Sequence, residues 1–384
     1  MTEESKRAES PGEADAMTHS DKKRVLILGG YGVYGSIIVE HLKGTPAELV
    51  VVGRNEEKGR VFAKSQDVSF LRCDVNDSDA LKSAIAGAFL VINASGPFQA
   101  QDYAIPRTCI EQGCHYIDLG DGREYVAQIE RLHQGASDRG VFVCVGASTT
   151  PAITSAMLRA LDFGDNSLHS IKIALNAGNK NQAGVSTFAS ILSYAGAPVK
   201  VWRHGRWQEA TGWSLGEFVE FPPPVGRRRV YLCDVPDLEL LPRNFDVNNV
   251  LFKAGVELTL FDYALSLLAR LRRWRILPNL PALAKPLVRL SGFFKFLGTL
   301  HGGLAIWVED DQGEKKSIAL VAPENGPQIP ASPAVLLAHK LLAEGVPAAG
   351  AFPCVGFIEL KAYEQHLAPF GITLVRGKDG KWLG

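Results

Sequence analysis

A glycine-rich run between a short apolar run and a helical pattern constrains this chain more than any other feature. Residues 25–28 are all apolar, and glycines follow at positions 29, 30, 32 and 35. Such a turn lets a helix begin directly after a strand and leaves its first N–H groups free to bind an anion. In this setting the G-x-G-x-x-G spacing is typical of a loop that binds a dinucleotide pyrophosphate. The predicted cofactor contacts in this loop are Gly30, Gly32, Val33, Tyr34 and Gly35.

Short apolar runs alternate with helical patterns across residues 24–147. Runs this continuously apolar are typical of parallel strands that helices cover on both faces, and the alternation indicates strand–helix–strand units. The predicted strands are 25–28, 49–52, 68–71, 90–93, 115–118 and 141–145. The fold class is therefore α/β, with an N-terminal Rossmann domain built on a doubly wound parallel sheet.

The pattern changes after Ala147, and a chain of 384 residues is long enough for two domains. Two apolar runs, 304–309 and 316–321, flank a hairpin signal at Asp310-Asp311-Gln312-Gly313. We expect a second α+β domain with a mixed or antiparallel sheet, which binds substrate or mediates dimerisation. The predicted divisions are a disordered tail 1–21, a Rossmann domain 22–150, an α+β domain 151–331 with a helical insert at 259–300, and a segment 332–384 that packs back on the Rossmann domain.

Charge and cysteine content argue against nucleic acid and metal ions as partners. The 41 basic and 41 acidic residues cancel, so no overall positive field favours nucleic acid. The six cysteines are scattered without metal-site spacing, which fits reduced thiols in a cytoplasmic protein with no bound metal. The expected partner is a small-molecule substrate, and a homodimer is left open.

The insert at 259–300 has two interpretations. Residues 267–275 join leucines and a tryptophan to four arginines, as helices that lie on a lipid surface do. Ordinary core helices with charged ends have a similar composition. Two hypotheses therefore stay open: peripheral membrane contact through 259–300, and ordinary packing of these helices in the core.

The end of the second predicted strand indicates which dinucleotide binds. NAD-specific folds place an Asp or Glu there to bind the ribose 2′-hydroxyl, whereas this chain has Gly53-Arg54-Asn55. A guanidinium forms paired hydrogen bonds with phosphate, so Arg54 favours NADP (NADPH) over NAD. Asp74 follows the third strand, where it either contacts the adenine side or caps a helix.

The glycine spacing also fits the short-chain dehydrogenases, whose catalysis uses a Tyr-x-x-x-Lys unit. No tyrosine in this chain precedes a lysine by four residues, and Tyr103 with Arg107 comes nearest. An atypical short-chain-type reductase or epimerase therefore stays an alternative only.

A second set of motifs resembles the saccharopine dehydrogenase-like family. Its members carry a "GPF…Y…AC…G.HY.DL.GE" run after the fourth Rossmann strand, and this chain has Gly96-Pro97-Phe98, Tyr103 and the stretch 109–120. The resemblance covers about the first 150 residues. It departs from the family where Gly120 is followed by Asp121, so that the family's acidic residue corresponds to either Asp121 or Glu124.

This resemblance implies hydride transfer between a nicotinamide and a carbon that bears a secondary amine, an imine or a related carbonyl group. Ser95, Gly96 and Pro97 follow the fourth strand and are expected to contact the cofactor. Asp118, at the end of the fifth strand, is the candidate for proton transfer or amine binding, with a loop cap as the alternative, and Tyr103 is the second catalytic candidate. A non-catalytic NADPH-binding sensor or scaffold is the competing function.

Overall fold

The computed structural model describes residues 22–164, 166–181, 185–277, 279–294 and 296–383. The predicted tail 1–21 lies outside these residues. The N-terminal half alternates strands and helices: β1 (Lys23–Leu28), α1 (Val33–Leu42), β2 (Ala47–Gly53), α2 (Glu56–Gln66), β3 (Ser69–Arg72), α3 (Ser78–Ile85), β4 (Leu90–Asn93), α4 (Ala104–Glu111), β5 (His115–Asp118), α5 (Arg123–Ala127), α6 (His133–Asp138), β6 (Phe142–Val145) and α7 (Thr154–Arg159).

The remaining elements contain a second group of strands and two helices of the insert. They are β7 (Leu168–Ala177), α8 (Val185–Tyr194), β8 (Pro198–Arg203), β9 (Arg206–Thr211), β10 (Glu217–Glu220), β11 (Arg227–Leu232), α9 (Asp237–Asn244), β12 (Val250–Val256), α10 (Thr259–Arg273), α11 (Ala284–Phe293), β13 (Gly302–Asp310), β14 (Lys315–Ala322), α12 (Gln328–Ala343), β15 (Gly350–Pro353), α13 (Leu360–Leu367), β16 (Thr373–Lys378) and β17 (Lys381–Trp382).

The first sheet is parallel, and its seven strands run in the order β15-β6-β5-β4-β1-β2-β3. The predicted Rossmann fold is therefore confirmed. The strand order reverses at β1, which pairs with β2 on one side and with β4 on the other. The seventh strand, β15, comes from the C-terminal part of the chain and pairs with β6. Sequence patterning predicted only six strands because β15 is Gly-Ala-Phe-Pro, and glycine and proline are rare within strands.

The second sheet is mixed, as the predicted fold class requires. Its main path runs β10-β11-β12-β7-β13-β14-β16-β17, and β8 joins β12 to β9. Most neighbours are antiparallel, but β12 and β7 run parallel. The predicted hairpin around residues 310–313 joins β13 to β14.

The helix α12 contributes to the cores of both sheets, since its Ile329 belongs to the core of the second sheet. Buried side chains of α12, including Val335 and Leu341, belong to the same apolar core as β1 and β4. The helices α10 and α11 instead bury Leu265, Ala269 and Ala284 against the core of the second sheet. Within the described ranges, no helix is both long and apolar enough to cross a bilayer.

Candidate functional site

The glycine loop forms the tight turn that its spacing predicts. Gly29 has a φ of +71°, which favours glycine, and Gly32 is the residue that precedes α1. A Cβ atom at Gly35 would lie 2.7 Å from the Cα atom of Gly30 and would also strike the carbonyl oxygen of Gly29. Only hydrogen fits there, because α1 passes so close to the loop. The turn leaves the first N–H groups of α1 without side-chain caps, as phosphate binding requires.

The loops after β1 and β4 are in contact at the point where the strand order reverses. A Cβ atom added to Gly29 would lie 3.2 Å from the Cβ atom of Ser95. In open α/β sheets, ligands bind in the crevice between two such loops, because these loops leave the sheet edge in different directions. The predicted contacts in the glycine loop and at Ser95, Gly96 and Pro97 therefore border one crevice, which we call the switch-point crevice.

A buried amide holds the loop after β4 in place. The Oδ1 atom of Asn93 accepts hydrogen bonds from the backbone N–H of Ser95, at 2.9 Å, and from its hydroxyl group. The Nδ2 atom of Asn93 donates to the hydroxyl oxygen of Tyr116 at 3.0 Å. The side-chain amide of Gln101 donates to the carbonyl oxygen of Ser95. The position of Ser95 is thus set by the end of β4 itself.

The predicted catalytic carboxyl group, Asp118, is fully buried and has several partners. Its Oδ1 atom accepts from the backbone N–H groups of Gly120 and Gly146, both at 2.9 Å. Its Oδ2 atom accepts from the hydroxyl group of Tyr125 at 2.6 Å. Burial raises the pKa of Asp118 to about 6, and the hydrogen bonds oppose this rise. In this arrangement Asp118 ties the loops after β5 and β6 together.

Tyr103, the second predicted catalytic residue, is also held by a neighbour. Its hydroxyl group donates to the carbonyl oxygen of Tyr125 at 2.7 Å, and the two rings stack with centroids 5.2 Å apart. Burial raises the pKa of Tyr103 to about 12. This hydroxyl group is engaged with the backbone of α5.

The tip of β2 presents Arg54 to solvent beside a tyrosine from the glycine loop. The hydroxyl oxygen of Tyr31 accepts from the backbone N–H of Asn55 at 3.0 Å, and its ring fills the space beside Gly53. Arg54 is exposed, as a ligand for a 2′-phosphate must be. Asp74 lies after β3, where its carboxylate accepts from the backbone and side chain of Asn76. That contact closes a local turn ahead of α3.

The second domain contributes α8 as the other wall of the crevice. The hydroxyl group of Ser186 donates to the carbonyl oxygen of Gly96 at 3.1 Å. Farther along α8, the hydroxyl group of Ser190 donates to the carboxylate of Asp121 at 2.8 Å and accepts from the amide of Gln99. Polar side chains of α8 therefore contact the loops that follow β4 and β5.

Asp121 and Tyr34 each contact α8, through Ser190 and Thr187, and the charge of Asp121 acts on Tyr34. Burial raises the pKa of the partly buried Asp121, and hydrogen bonds from Ser190 and Gln99 oppose the rise. Burial likewise raises the pKa of Tyr34, a hydrogen bond with Thr187 lowers it, and the charge of Asp121 raises it further. Glu124, the other acidic residue considered at this point, is exposed. Of the two acidic residues, it is Asp121 that contacts α8 and lies within electrostatic range of Tyr34 in the glycine loop.

Sequence reasoning missed the residues of α8 altogether. Ser186 and Ser190 belong to no sequence motif, and their partners Gly96 and Asp121 are 90 and 69 residues away along the chain. Asn93 is the last residue of the predicted strand 90–93, and a polar residue at the end of an otherwise apolar strand was the available signal. Within the described ranges, no three His, Cys, Asp or Glu side chains converge as a metal site.

Comparisons with known proteins agree with this geometry. Residues 25–144 match the family model described as the saccharopine dehydrogenase NADP binding domain. A probable mitochondrial saccharopine dehydrogenase-like oxidoreductase of Arabidopsis thaliana is 27% identical over 155 residues, which are 35% of this chain and 34% of that protein. The human saccharopine dehydrogenase-like oxidoreductase is 24% identical over 144 residues, 32% of this chain and 33% of that protein. The match spans about a third of the length of these relatives.

The likeness of fold extends further than the likeness of sequence. The L-Glu-forming saccharopine dehydrogenase of Saccharomyces cerevisiae superposes with a TM-score of 0.64 at 14% identity, over 94% of this chain and 100% of that one. Such identity supports the fold alone. Residues 25–144 therefore match the saccharopine dehydrogenase NADP binding domain model, and 94% of the chain shares the fold of saccharopine dehydrogenase.

Proposed function

We propose that this chain is an NADP(H)-dependent oxidoreductase that acts on a small substrate in the switch-point crevice. One observation carries the proposal: the glycine loop, the Ser95–Pro97 loop and α8 meet at the switch-point crevice, and α8 also holds an ionisable group, Asp121. The glycine loop fits a pyrophosphate, since the first N–H groups of α1 have no side-chain cap and Gly32 before them carries no side chain. Arg54 is exposed at the site expected for the 2′-phosphate.

When bound, NADPH supplies a hydride to an electrophilic carbon of the substrate, and we infer that this carbon belongs to an imine or a related carbonyl group. The electron pair of that double bond moves to nitrogen or oxygen, which then requires a proton. Asp121 is our candidate for the donor, because it is held beside the crevice by Ser190 and burial raises the pKa of its carboxyl group. Ser190 holds the Asp121 carboxyl group in place through the 2.8 Å hydrogen bond.

A non-catalytic NADPH sensor is the second candidate, and a specific observation favours it. Both residues that the sequence nominated for catalysis, Asp118 and Tyr103, are engaged in internal hydrogen bonds. A protein that only binds NADPH would keep the glycine loop and use these groups to hold the fold. Because both an enzyme and a sensor would bind NADPH, NADPH binding by itself does not distinguish the two candidates.

The two candidates are separated by binding and turnover measured on the same preparation. We expect NADPH to bind more tightly than NADH in a fluorescence titration. We also expect NADPH to be oxidised in a screen of amino acids paired with 2-oxo acids, and this turnover to be lost in Asp121→Asn. NADPH binding without turnover on any imine or carbonyl substrate would favour the sensor. Failure to bind either nucleotide would contradict both candidates.

A further inference from the structure

The insert exposes apolar side chains in an ordered pattern. In α10, Leu260, Tyr263 and Leu267 are spaced by three and four residues, so they line one side of the helix, and Trp274 directly follows its last residue. Leu260 and Trp274 are each 67% exposed, and Leu267 is 56% exposed. The opposite side of α10 already packs on the second sheet through Leu265 and Ala269. The helix is therefore apolar on its outer side as well as on its inner one.

Neighbouring segments extend this exposed surface. Phe293 at the end of α11 is 76% exposed, and Phe296 and Leu290 are also exposed. The inner sides of α10 and α11 pack on the same core, and the rings of Phe261 and Phe294 meet edge to face at 5.5 Å. The exposed side chains of the two helices therefore lie on neighbouring parts of the insert. We call this surface the insert face; it comprises Leu260, Tyr263, Leu267, Trp274, Ile276, Leu290, Phe293 and Phe296 with the basic residues around them.

The exposed charged residues of the described insert are all basic. Residues 259–300 contain seven basic residues and one acidic residue, Asp262. Asp262 is fully buried, whereas Arg270, Arg273, Arg275, Lys285 and Arg289 are exposed. The exposed charge of the described insert is therefore entirely positive, in a protein whose net charge is zero.

Exposed apolar side chains together with exposed positive charge indicate the chemistry of the partner. Single exposed apolar residues are normal, but an ordered group of aromatic and aliphatic side chains marks a surface that something covers. A second copy docked through the same face would bring two sets of arginines together without a carboxylate between them, and like charges repel. A surface of anionic phospholipid headgroups above an apolar layer is complementary to both properties at once.

We propose that the insert face docks this protein on an anionic phospholipid bilayer. Leu260, Leu267, Phe293 and Trp274 enter the boundary between headgroups and acyl chains, and the arginines pair with lipid phosphates. Trp274 and Ile276 follow the last turn of α10, in a loop that projects these apolar side chains into solvent. Tryptophan favours this interfacial depth because its ring is apolar and its N–H group is polar.

Docking would also place the switch-point crevice near the bilayer. The guanidinium group of Arg272 donates to the carbonyl oxygens of Leu192, Ser193 and Ala195 around the end of α8. The other end of α8 contacts Gly96 through Ser186. One helix thus connects the insert face to the crevice, and the proposal of docking is independent of any catalytic activity.

Flotation of the full chain with vesicles tests the proposal. We expect binding to phosphatidylcholine vesicles that contain phosphatidylglycerol at low salt, and little binding to phosphatidylcholine alone. In Arg270→Gln/Arg273→Gln/Arg275→Gln, the partition coefficient should fall roughly a hundredfold, as loss of three basic groups near an anionic surface implies. Trp274→Ser/Ile276→Ser should lower it by at least about tenfold. Arg272 is left intact because it supports α8.

The matched control is Val61→Ser/Lys64→Gln on α2, which removes an exposed apolar and an exposed basic residue elsewhere. It should bind vesicles as the parent chain does, and circular dichroism should show that all variants are folded. Absence of binding to anionic vesicles at low salt would overturn the proposal. Equal loss of vesicle binding in the Val61→Ser/Lys64→Gln control would also overturn it. A concentration-dependent dimer of the parent chain that the insert variants abolish would overturn it too.

Discussion

The hydroxyl group of Tyr125 donates a hydrogen bond to the Oδ2 atom of Asp118, with the two oxygens 2.6 Å apart. Tyr125 lies on α5 and Asp118 at the end of β5, so this bond joins the helix to the strand from which its loop departs. The opposite oxygen of Asp118 binds two backbone N–H groups. A residue chosen from sequence as a proton carrier is thus the centre of a buried structural network.

Replacing Asp118 distinguishes a role in proton transfer from a role in holding the fold. In Asp118→Asn, the amide oxygen can accept from Gly120 and Gly146 while the amide N–H donates to the Tyr125 oxygen, so we expect near-parental stability. We expect kcat to stay within about tenfold of the parent, since proton transfer by a general acid contributes more than this. Asp118→Leu should lower the free energy of unfolding by about 2–4 kcal/mol, because buried N–H groups lose their acceptor. A folded Asp118→Asn with no turnover would restore Asp118 as the proton carrier.

Asp121 should behave differently from Asp118. We expect Asp121→Asn to lower kcat by about a hundredfold or more while NADPH affinity changes little. In the reductive direction, the activity of the parent should fall as pH rises through the raised pKa of Asp121, because the proton donor is then lost. The variant should lack this descending limb. Glu124→Gln, at the exposed neighbouring carboxylate, is the control and should leave the profile unchanged.

The glycine loop offers a steric test of nucleotide binding. Gly35→Ala places a methyl group against the backbone of Gly29 and Gly30, so the loop must open. We expect NADPH affinity to fall at least about tenfold and the free energy of unfolding to fall by about 1–3 kcal/mol. Gly135→Ala is the matched control, since a Cβ atom there meets nothing within 4 Å. Unchanged affinity in Gly35→Ala would mean that the pyrophosphate binds elsewhere.

Arg54 should determine the choice between the two dinucleotides. In Arg54→Gln, we expect NADPH affinity to fall about 10- to 100-fold, which corresponds to loss of a charged hydrogen bond to the 2′-phosphate. NADH affinity should not change, because NADH has no 2′-phosphate. Calorimetric titration with both nucleotides measures the difference, and Lys64→Gln, exposed near the end of α2, controls for loss of surface charge. Equal loss for both nucleotides would contradict the assignment.

His366 should make the stability of the protein sensitive to acid. Burial, with the nearby rings of His41 and His339, lowers the pKa of His366 to about 4, against 6.5 for an ordinary histidine. Below pH 6.5 the unfolded chain takes up a proton that the folded chain does not, so stability falls as pH drops from 6.5 to 4. The loss should be about 2 kcal/mol, allowing for partial exposure of the ring. Urea unfolding of His366→Leu should show a correspondingly flatter profile, and identical profiles would contradict this origin.

The sequence by itself determined the Rossmann sheet, the glycine loop and the mixed second sheet. Each depends on local patterning: strands with continuous apolar runs must be covered on both faces, and a helix that starts directly after a strand requires glycines where backbones meet. Arg54 and the loop Ser95–Pro97 were predictable for the same reason, because their positions follow from the ends of strands. Both stay predictions as cofactor contacts until binding is measured.

Only the tertiary structure decided what faces the crevice. Asp118 and Asp121 are three residues apart and chemically alike, yet one meets backbone N–H groups within the Rossmann domain and the other meets Ser190 of α8. Their surroundings come from distant parts of the chain, which no local pattern encodes. The orientation of α10 likewise required the fold, because a helix that is apolar on two sides does not specify which side the core covers.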